Sequence, residues 1–222
     1  MTMINFNNVT LQYDSGATIR NVNFSLKRGE FAYLIGPSGS GKSSILRMIY
    51  MDLFPNIGEV KVGDFNCNTI KRRHIPKLRR KVGMIFQDYL LLNDRNVYQN
   101  VSLALEIQGV KTKEIERRVH RALNEVGLLQ KKTQFPYELS GGEQQRVSIA
   151  RAVVKDPLVL LADEPTGNLD YGVSLEILKL LWRFHEKGTA VIMATHNLEL
   201  IRDYPARTLR ISNGIIKGDV TP

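Results

Sequence analysis

Cysteine is nearly absent. Cys67 stands alone among 222 residues, which excludes an intrachain disulfide and a cysteine-built zinc site. Long apolar runs are missing as well: none approaches the roughly 20 residues that cross a bilayer as a helix. The opening, Met1-Thr2-Met3-Ile4-Asn5-Phe6, has no basic stretch leading into an apolar one, so it does not read as a secretory signal and the expectation is a cytoplasmic product. Low-complexity segments and internal repeats are not evident. Carboxylates are in the minority, leaving a net charge of +9. That excess suits nucleic acid, an anionic membrane surface or an acidic partner. Much of it is concentrated in Lys71, Arg72, Arg73, Lys77, Arg79, Arg80 and Lys81, with His74 among them and no carboxylate. Aromatic residues do not interleave with these cations, which argues against stacking on single-stranded nucleic acid. The cluster reads as a solvated helix face.

What is present fits one domain, or one domain with a subdomain, with 43% apolar residues to build a core. Residues 4–9 alternate apolar and polar as a half-buried strand. A turn-prone Asp14-Ser15-Gly16 leads to a second alternating run through Ile19, Val22, Phe24 and Leu26. These predict a small antiparallel layer. Short apolar strands are expected at 31–35, 58–63, 82–86, 158–162 and 189–194, and helices at 44–49, 97–108, 112–127, 174–186 and 197–203. Asn213-Gly214 predicts a closing hairpin. Strands alternating with helices indicate an α/β domain with a mostly parallel sheet. Residues from about 90 to 150 read as a helical insertion, with about 1–89 and 151–222 forming the core.

Gly36-Pro37-Ser38-Gly39-Ser40-Gly41-Lys42-Ser43 matches the G-x-x-x-x-G-K-[ST] phosphate-binding loop at every fixed position. It has the context that motif needs, an apolar strand before it and a helix from Ser44 after it. The glycines let successive backbone N–H groups face one anion, and the helix N-terminus adds partial positive charge. Lys42 would reach the outer phosphates of a nucleotide and the Ser43 hydroxyl would hold Mg²⁺. The strand at 158–162 delivers Asp163 and Glu164 at its carboxyl end, the side on which ligands of open α/β sheets sit. Asp163 would hold Mg²⁺ through water and Glu164 would act as general base on an attacking water. Leu139-Ser140-Gly141-Gly142-Glu143-Gln144-Gln145-Arg146 carries an S-x-x-E capping box, with two glycines at the mouth of a helix that continues through Val147, Ala150, Arg151 and Val154. The glycines are expected to leave that N-terminus uncovered as a second anion site, one more than a single phosphate chain needs from one subunit. Tyr13 either stacks on a base or covers the edge of the antiparallel layer.

The Leu139–Arg146 stretch resembles the signature sequence of ABC-type ATPases, and the resemblance extends over nearly the whole chain. It implies a P-loop NTPase core with a mixed, mostly parallel sheet, an N-terminal antiparallel β layer and an inserted helical subdomain. It implies ATP and Mg²⁺ as ligands, with Tyr13 stacked on adenine and the loop from Gly36 through Ser44 around the phosphates. Gln87 corresponds to the loop glutamine that senses Mg²⁺ and the water, and His196 to the switch histidine at the γ-phosphate. Asn168-Leu169-Asp170 corresponds to the loop that crosses a dimer. In this family two copies close head to tail on ATP, so Ser140, Gly141 and Gly142 of one chain would face the γ-phosphate held by the other.

The stretch from His74 through Val101, with its P-x-L-R-R approach, Phe86-Gln87-Asp88 and Asp94-Arg95-Asn96-Val97-Tyr98 string, is similar to the subgroup serving bacterial cell division. ATPases of lipoprotein-release and efflux systems are the alternative, and a soluble ABC ATPase acting on nucleic acid, suggested only by the charge, is a third. The resemblance implies two copies of a transmembrane partner and a peripheral position on the cytoplasmic face of the membrane, with no nucleic acid expected. Tyr89, Leu90, Leu91, Leu92 and Tyr98 are the residues expected to receive the partner, or else to fill the subdomain core. Two departures stand out: Ser44 where Thr is common, and a bulky Tyr50-Met51-Asp52-Leu53-Phe54.

Overall fold

The computed structural model describes every residue except Asp14, Ser15, Ala17 and Pro222. The turn expected at Asp14-Ser15-Gly16 therefore lies, in its first two residues, outside the described residues. In chain order the elements are β1 (Thr2–Gln12), β2 (Thr18–Lys27), β3 (Phe31–Ile35), α1 (Lys42–Ile49), β4 (Ile57–Val62), β5 (Phe65–Asn66), α2 (Ile75–Lys81), β6 (Val82–Ile85), α3 (Val97–Glu106) and α4 (Thr112–Glu125). They continue with α5 (Gly141–Val153), β7 (Val159–Asp163), α6 (Tyr171–Glu186), β8 (Ala190–Thr195), α7 (Leu198–Asp203), β9 (Arg207–Ser212) and β10 (Ile215–Val220).

Two sheets result. One has the order β2-β1-β4-β5 and is antiparallel; the other has the order β10-β9-β3-β8-β7-β6. In the larger sheet every pair from β9 to β6 is parallel and only the edge strand β10 is antiparallel. Its central strands are apolar throughout because both faces are covered. Successive side chains alternate between the two cores. Phe31, Tyr33, Leu160, Val191 and Met193 join the helices α3 to α6, whereas Ala32, Leu34, Leu161 and Ile192 join α1, α2 and the antiparallel sheet. The helical insertion thus shares one continuous core with a face of the sheet, through Val101, Leu105, Val119, Leu123, Val147 and Ile149. Burying each such side chain is worth about 1.5–3 kcal/mol.

Arg207 fastens the two sheets at one end. It makes a two-pronged pair with Asp219, at 2.7 and 2.6 Å, and donates to Glu30 Oε1 at 2.7 Å and to the carbonyl of Ser25 in β2 at 2.6 Å. The Asp219 and Glu30 carboxylates hold the guanidinium pKa above its ordinary value, Asp219 most strongly. The β9–β10 hairpin turns at Asn213 and Gly214, both with positive φ, as an Asn-Gly step permits. Among the described residues no helix is long and apolar enough to cross a membrane. Cys67 is buried, and burial pushes its thiol pKa up, so it is a packing residue.

Most of the basic cluster is the solvated face expected of it, with Lys71, Arg72, Arg73, Lys77, Arg80 and Lys81 exposed; Arg79 is the exception. Arg79 donates to the carbonyls of Tyr50 and Met51, both at 3.2 Å, pairs with Asp52 at 3.5 Å and lies 4.7 Å over the Tyr50 ring. This accounts for the bulky Tyr50-Met51-Asp52 segment, which is the docking surface for α2. Met51 is itself fully buried with φ at 53°.

Candidate active site

Four sequence elements separated by up to 160 residues meet at the carboxyl edge of the parallel strands. The loop leaves β3 at Gly36, where a Cβ would lie 2.2 Å from the Ile211 carbonyl of neighbouring β9 and 2.7 Å from Ser40 Oγ. No side chain fits there. Ser40 is buried and its hydroxyl has no partner among the described residues. Lys42, only 4% exposed, is held by three oxygens: the carbonyls of Gly36 and Pro37, at 2.9 and 3.1 Å, and Glu164 Oε1 at 3.1 Å. Ser43 Oγ donates to Asp163 Oδ1 at 3.1 Å. Parallel pairing sets Ile35 of β3 opposite Thr195 of β8, and Asp163 of β7 opposite Ala194, one residue away, which brings the ends of the three strands together at one edge.

Glu164 occupies the centre. Its second oxygen accepts from His196 Nδ1 at 2.7 Å, so one carboxylate bridges Lys42 and His196. Its backbone sits at φ 44°, unusual for a residue with a side chain. Burial raises the Asp163 pKa, the Ser43 hydrogen bond opposes that, and the neighbouring Glu164 charge adds to it. Such a carboxyl gains from a cation beside it. Gln87 is exposed, and a Cβ on Gly167 would lie 3.1 Å from its Nε2, so the loop glutamine packs beside the Glu164 turn. Tyr13 is half-buried and donates to Ser44 Oγ at 2.9 Å, which fixes its ring against the start of α1.

Among the described residues no hydrogen bond joins Ser140, Gly141 or Gly142 to this cluster. Ser140 and Glu143 form the expected capping box, at 3.3 and 3.1 Å. The glycines are half-buried. A Cβ on Gly141 would meet the Tyr89 hydroxyl at 3.1 Å, and one on Gly142 would meet Val173 at 2.6 Å. Ser140 itself is exposed. Asp170 caps α6 by accepting from Val173 N at 3.0 Å.

The family model for the ABC transporter matches residues 19–167. The chain belongs to that family. The cassette is 48% identical over 219 residues to the cell division ATP-binding protein FtsE of Escherichia coli strain K12, covering 98% of this chain and 99% of that one. FtsE of Streptococcus pneumoniae serotype 2 (strain D39) is 47% identical over 220 residues, 99% of this chain and 96% of its own. Among solved structures, the dimeric post-hydrolysis state of the ATP-binding cassette MJ0796 bound to ADP and Pi superposes with a TM-score of 0.89 at 34% identity, covering 99% of this chain and 98% of that one. The cassette therefore binds and hydrolyses ATP, and it is FtsE-like in sequence.

A second feature of the cassette is a cleft of about 600 Å³ between α2, α3 and α5, lined by Tyr50, Phe86, Leu90, Leu103, Ile107 and Arg80 among others. Leu90 and Ile107 are exposed. Arg151 donates to the carbonyls of Leu90 and Tyr89, at 2.6 and 2.7 Å, and so holds two residues with positive φ. Lys155 donates to the carbonyl of Arg79 at 2.6 Å; burial, with the Arg151 charge adding, pushes its pKa down to about 8. Of the residues expected to receive a partner, only Leu90 lines this cleft. Leu91 and Tyr98 pack on the core, Tyr98 with His120 at its ring edge, and Tyr89 turns toward Gly141. Leu103 and Ile107, four apart in sequence, form a second apolar stripe opposite Val101 and Leu105. That stripe is legible in the sequence. Arg151 and Gln145 carry no such signal.

Proposed function

We propose that this chain is the ATPase subunit of a membrane complex of the FtsE type, in which ATP closes two copies head to tail and the closure is passed to an FtsX-like transmembrane protein. In division systems of this kind the output is control of peptidoglycan hydrolysis outside the membrane. The chain itself would stay peripheral on the cytoplasmic face, held by two copies of that partner. The observation that carries the ATPase half is the convergence of Lys42, Ser43, Asp163, Glu164 and His196, to which Ser140, Gly141 and Gly142 make no hydrogen bond among the described residues. One site is thus complete only with a second chain, whose Ser140, Gly141, Gly142 and Asp170 loop supply the other wall. The dimeric state of the MJ0796 cassette supports the same reading.

Mg²⁺ fits the residues present. The Ser43 hydroxyl and Asp163 carboxylate are hard oxygen donors 3.1 Å apart, and no group of three or more metal-ligating side chains exists among the described residues. Such a partial set suits an ion that keeps most of its waters and shares phosphate oxygens. When bound, Mg²⁺ would neutralise charge developing on the phosphates; Ser43, Asp163 and Gln87 would hold it. Phosphate oxygens would replace Glu164 as the partner of Lys42. That exchange frees one carboxylate oxygen to take a proton from water, while His196 keeps the other in place. Tyr13 would cover the base.

Ser140→Phe tests the shared site. ATP affinity of the monomer is expected to stay within about twofold, since Ser140 touches none of the loop, while turnover falls at least about tenfold. Ser140→Ala serves as the control for the lost cap, about 1 kcal/mol. Undiminished turnover in the Phe variant would exclude a composite site. For the partner, Ile107→Asp should abolish co-purification with the FtsX-like protein and leave ATP turnover of the isolated chain unchanged. Retained co-purification would place docking elsewhere. The FtsE-named relatives favour this over a lipoprotein-release or efflux subunit.

A further inference from the structure

We infer that Gln145 is a positioning residue for hydrolysis, tying the N-terminal end of α5 to the turn that carries Glu164 in the same chain. The inference rests on the head-to-tail reading above, because only there do the two ends of this link belong to different ATP sites.

Gln145 lies five residues beyond Ser140 and is 0% exposed. Its neighbours on the helix, Val147, Ile149 and Ala150, are all in the apolar core. A primary amide buried there costs free energy unless both ends find partners. Only one does: Nε2 donates to the carbonyl of Pro165 at 2.7 Å, whereas Oε1 has no partner among the described residues. Methionine, of similar length, would fill the same space without an unpaired oxygen. What the amide supplies that methionine cannot is the single hydrogen bond to Pro165.

Pro165 directly follows Glu164. Three hydrogen bonds define this turn: Glu164 N to the Ala194 carbonyl at 3.0 Å, Gly167 N to the Glu164 carbonyl at 3.1 Å, and the bond from Gln145. The first comes from β8 and the second from the turn itself. Only the third originates on α5. Glu164 at φ 44° holds a conformation that persists where its surroundings over-determine it. The proline ring fixes φ, which removes one of the two rotations by which the Pro165 carbonyl could move independently of Glu164. A shift of α5 when its Ser140 end meets a phosphate is thereby delivered to the Glu164 carboxylate, which serves the other nucleotide. Positional errors near 1 Å at such a group cost up to about 100-fold in rate.

The test compares Gln145→Met, which keeps the volume and loses the donor, with Gln145→His, whose Nε2–H has comparable reach. Gln145→Met is expected to lower kcat about 10- to 100-fold, with KM for ATP within about twofold and no fall in Tm; Gln145→His is expected to recover most of that loss. In a Glu164→Gln background, Gln145→Met should leave the ATP-trapped dimer intact, placing the defect after closure. A kcat within about twofold of wild type in Gln145→Met overturns the inference. So does a loss matched by a fall in Tm that His does not restore, or a double variant that no longer dimerises. If Glu164→Gln alone fails to trap a dimer, the shared-site reading fails instead, and the kcat comparison still judges Gln145.

Discussion

Glu164→Gln is expected to bind ATP at least as tightly as the wild type while turnover falls by about 10²–10⁴-fold, the range for losing a positioned general base. Two contacts explain both halves of that result. Lys42 is paired with Glu164 at 3.1 Å, and the neutral amide releases that ammonium for the phosphates. The amide keeps the size of the carboxylate and can still accept from His196 but takes no proton from water. Because hydrolysis is what would reopen the closed pair, the variant should accumulate as an ATP-bound dimer. Size-exclusion chromatography with light scattering reads the mass, and a phosphate-release assay reads turnover. Wild-type turnover in this variant would remove Glu164 from the chemistry.

Gly36→Ala is expected to be the most damaging change in the phosphate loop. An added Cβ would stand 2.2 Å from the Ile211 carbonyl, a backbone atom in a parallel strand that cannot rotate aside. Either β9 or the loop must move. Overpacking of this kind costs about 1–3 kcal/mol, a fall in Tm of about 2–12 °C for a chain of this size. ATP binding should weaken more than stability does, because the displaced segment carries the N–H groups that would face the phosphates. Gly39→Ala is the matched control. Gly39 has φ +73° but nothing within 4 Å of a Cβ, so it should cost only the left-handed backbone penalty of about 1 kcal/mol. Calorimetric titration with ATP and a thermal melt on both variants check the pair. Equal, mild effects would mean that the crowding at Ile211 is relieved without cost.

Where sequence reasoning succeeded, the signal was local. The loop, the Ser140 capping box and the Asn213-Gly214 hairpin are each specified within a few residues by backbone chemistry. The strands came through because a sheet covered on both faces needs continuous apolar runs. Where it fell short, the deciding contact was distant. Arg79 reads as one more cation in a basic run, and its role depends on carbonyls at Tyr50 and Met51. Tyr98 and Leu91 read as candidates for a partner because nothing local reveals that His120 and the core already cover them.

The sequence by itself determined that this chain folds as an α/β nucleotide-binding cassette and which side chains gather around its glycine loop. Motif spacing and hydrophobic period are properties of neighbouring residues, and short-range backbone geometry enforces them. Only the tertiary structure decided that Glu164 bridges Lys42 and His196 and that Gln145 ties α5 to the turn beside Glu164. Those relations depend on which strands lie side by side and on which helix packs beneath a turn. Strand order in a parallel sheet is set by crossovers that join distant segments, and no run of residues records it.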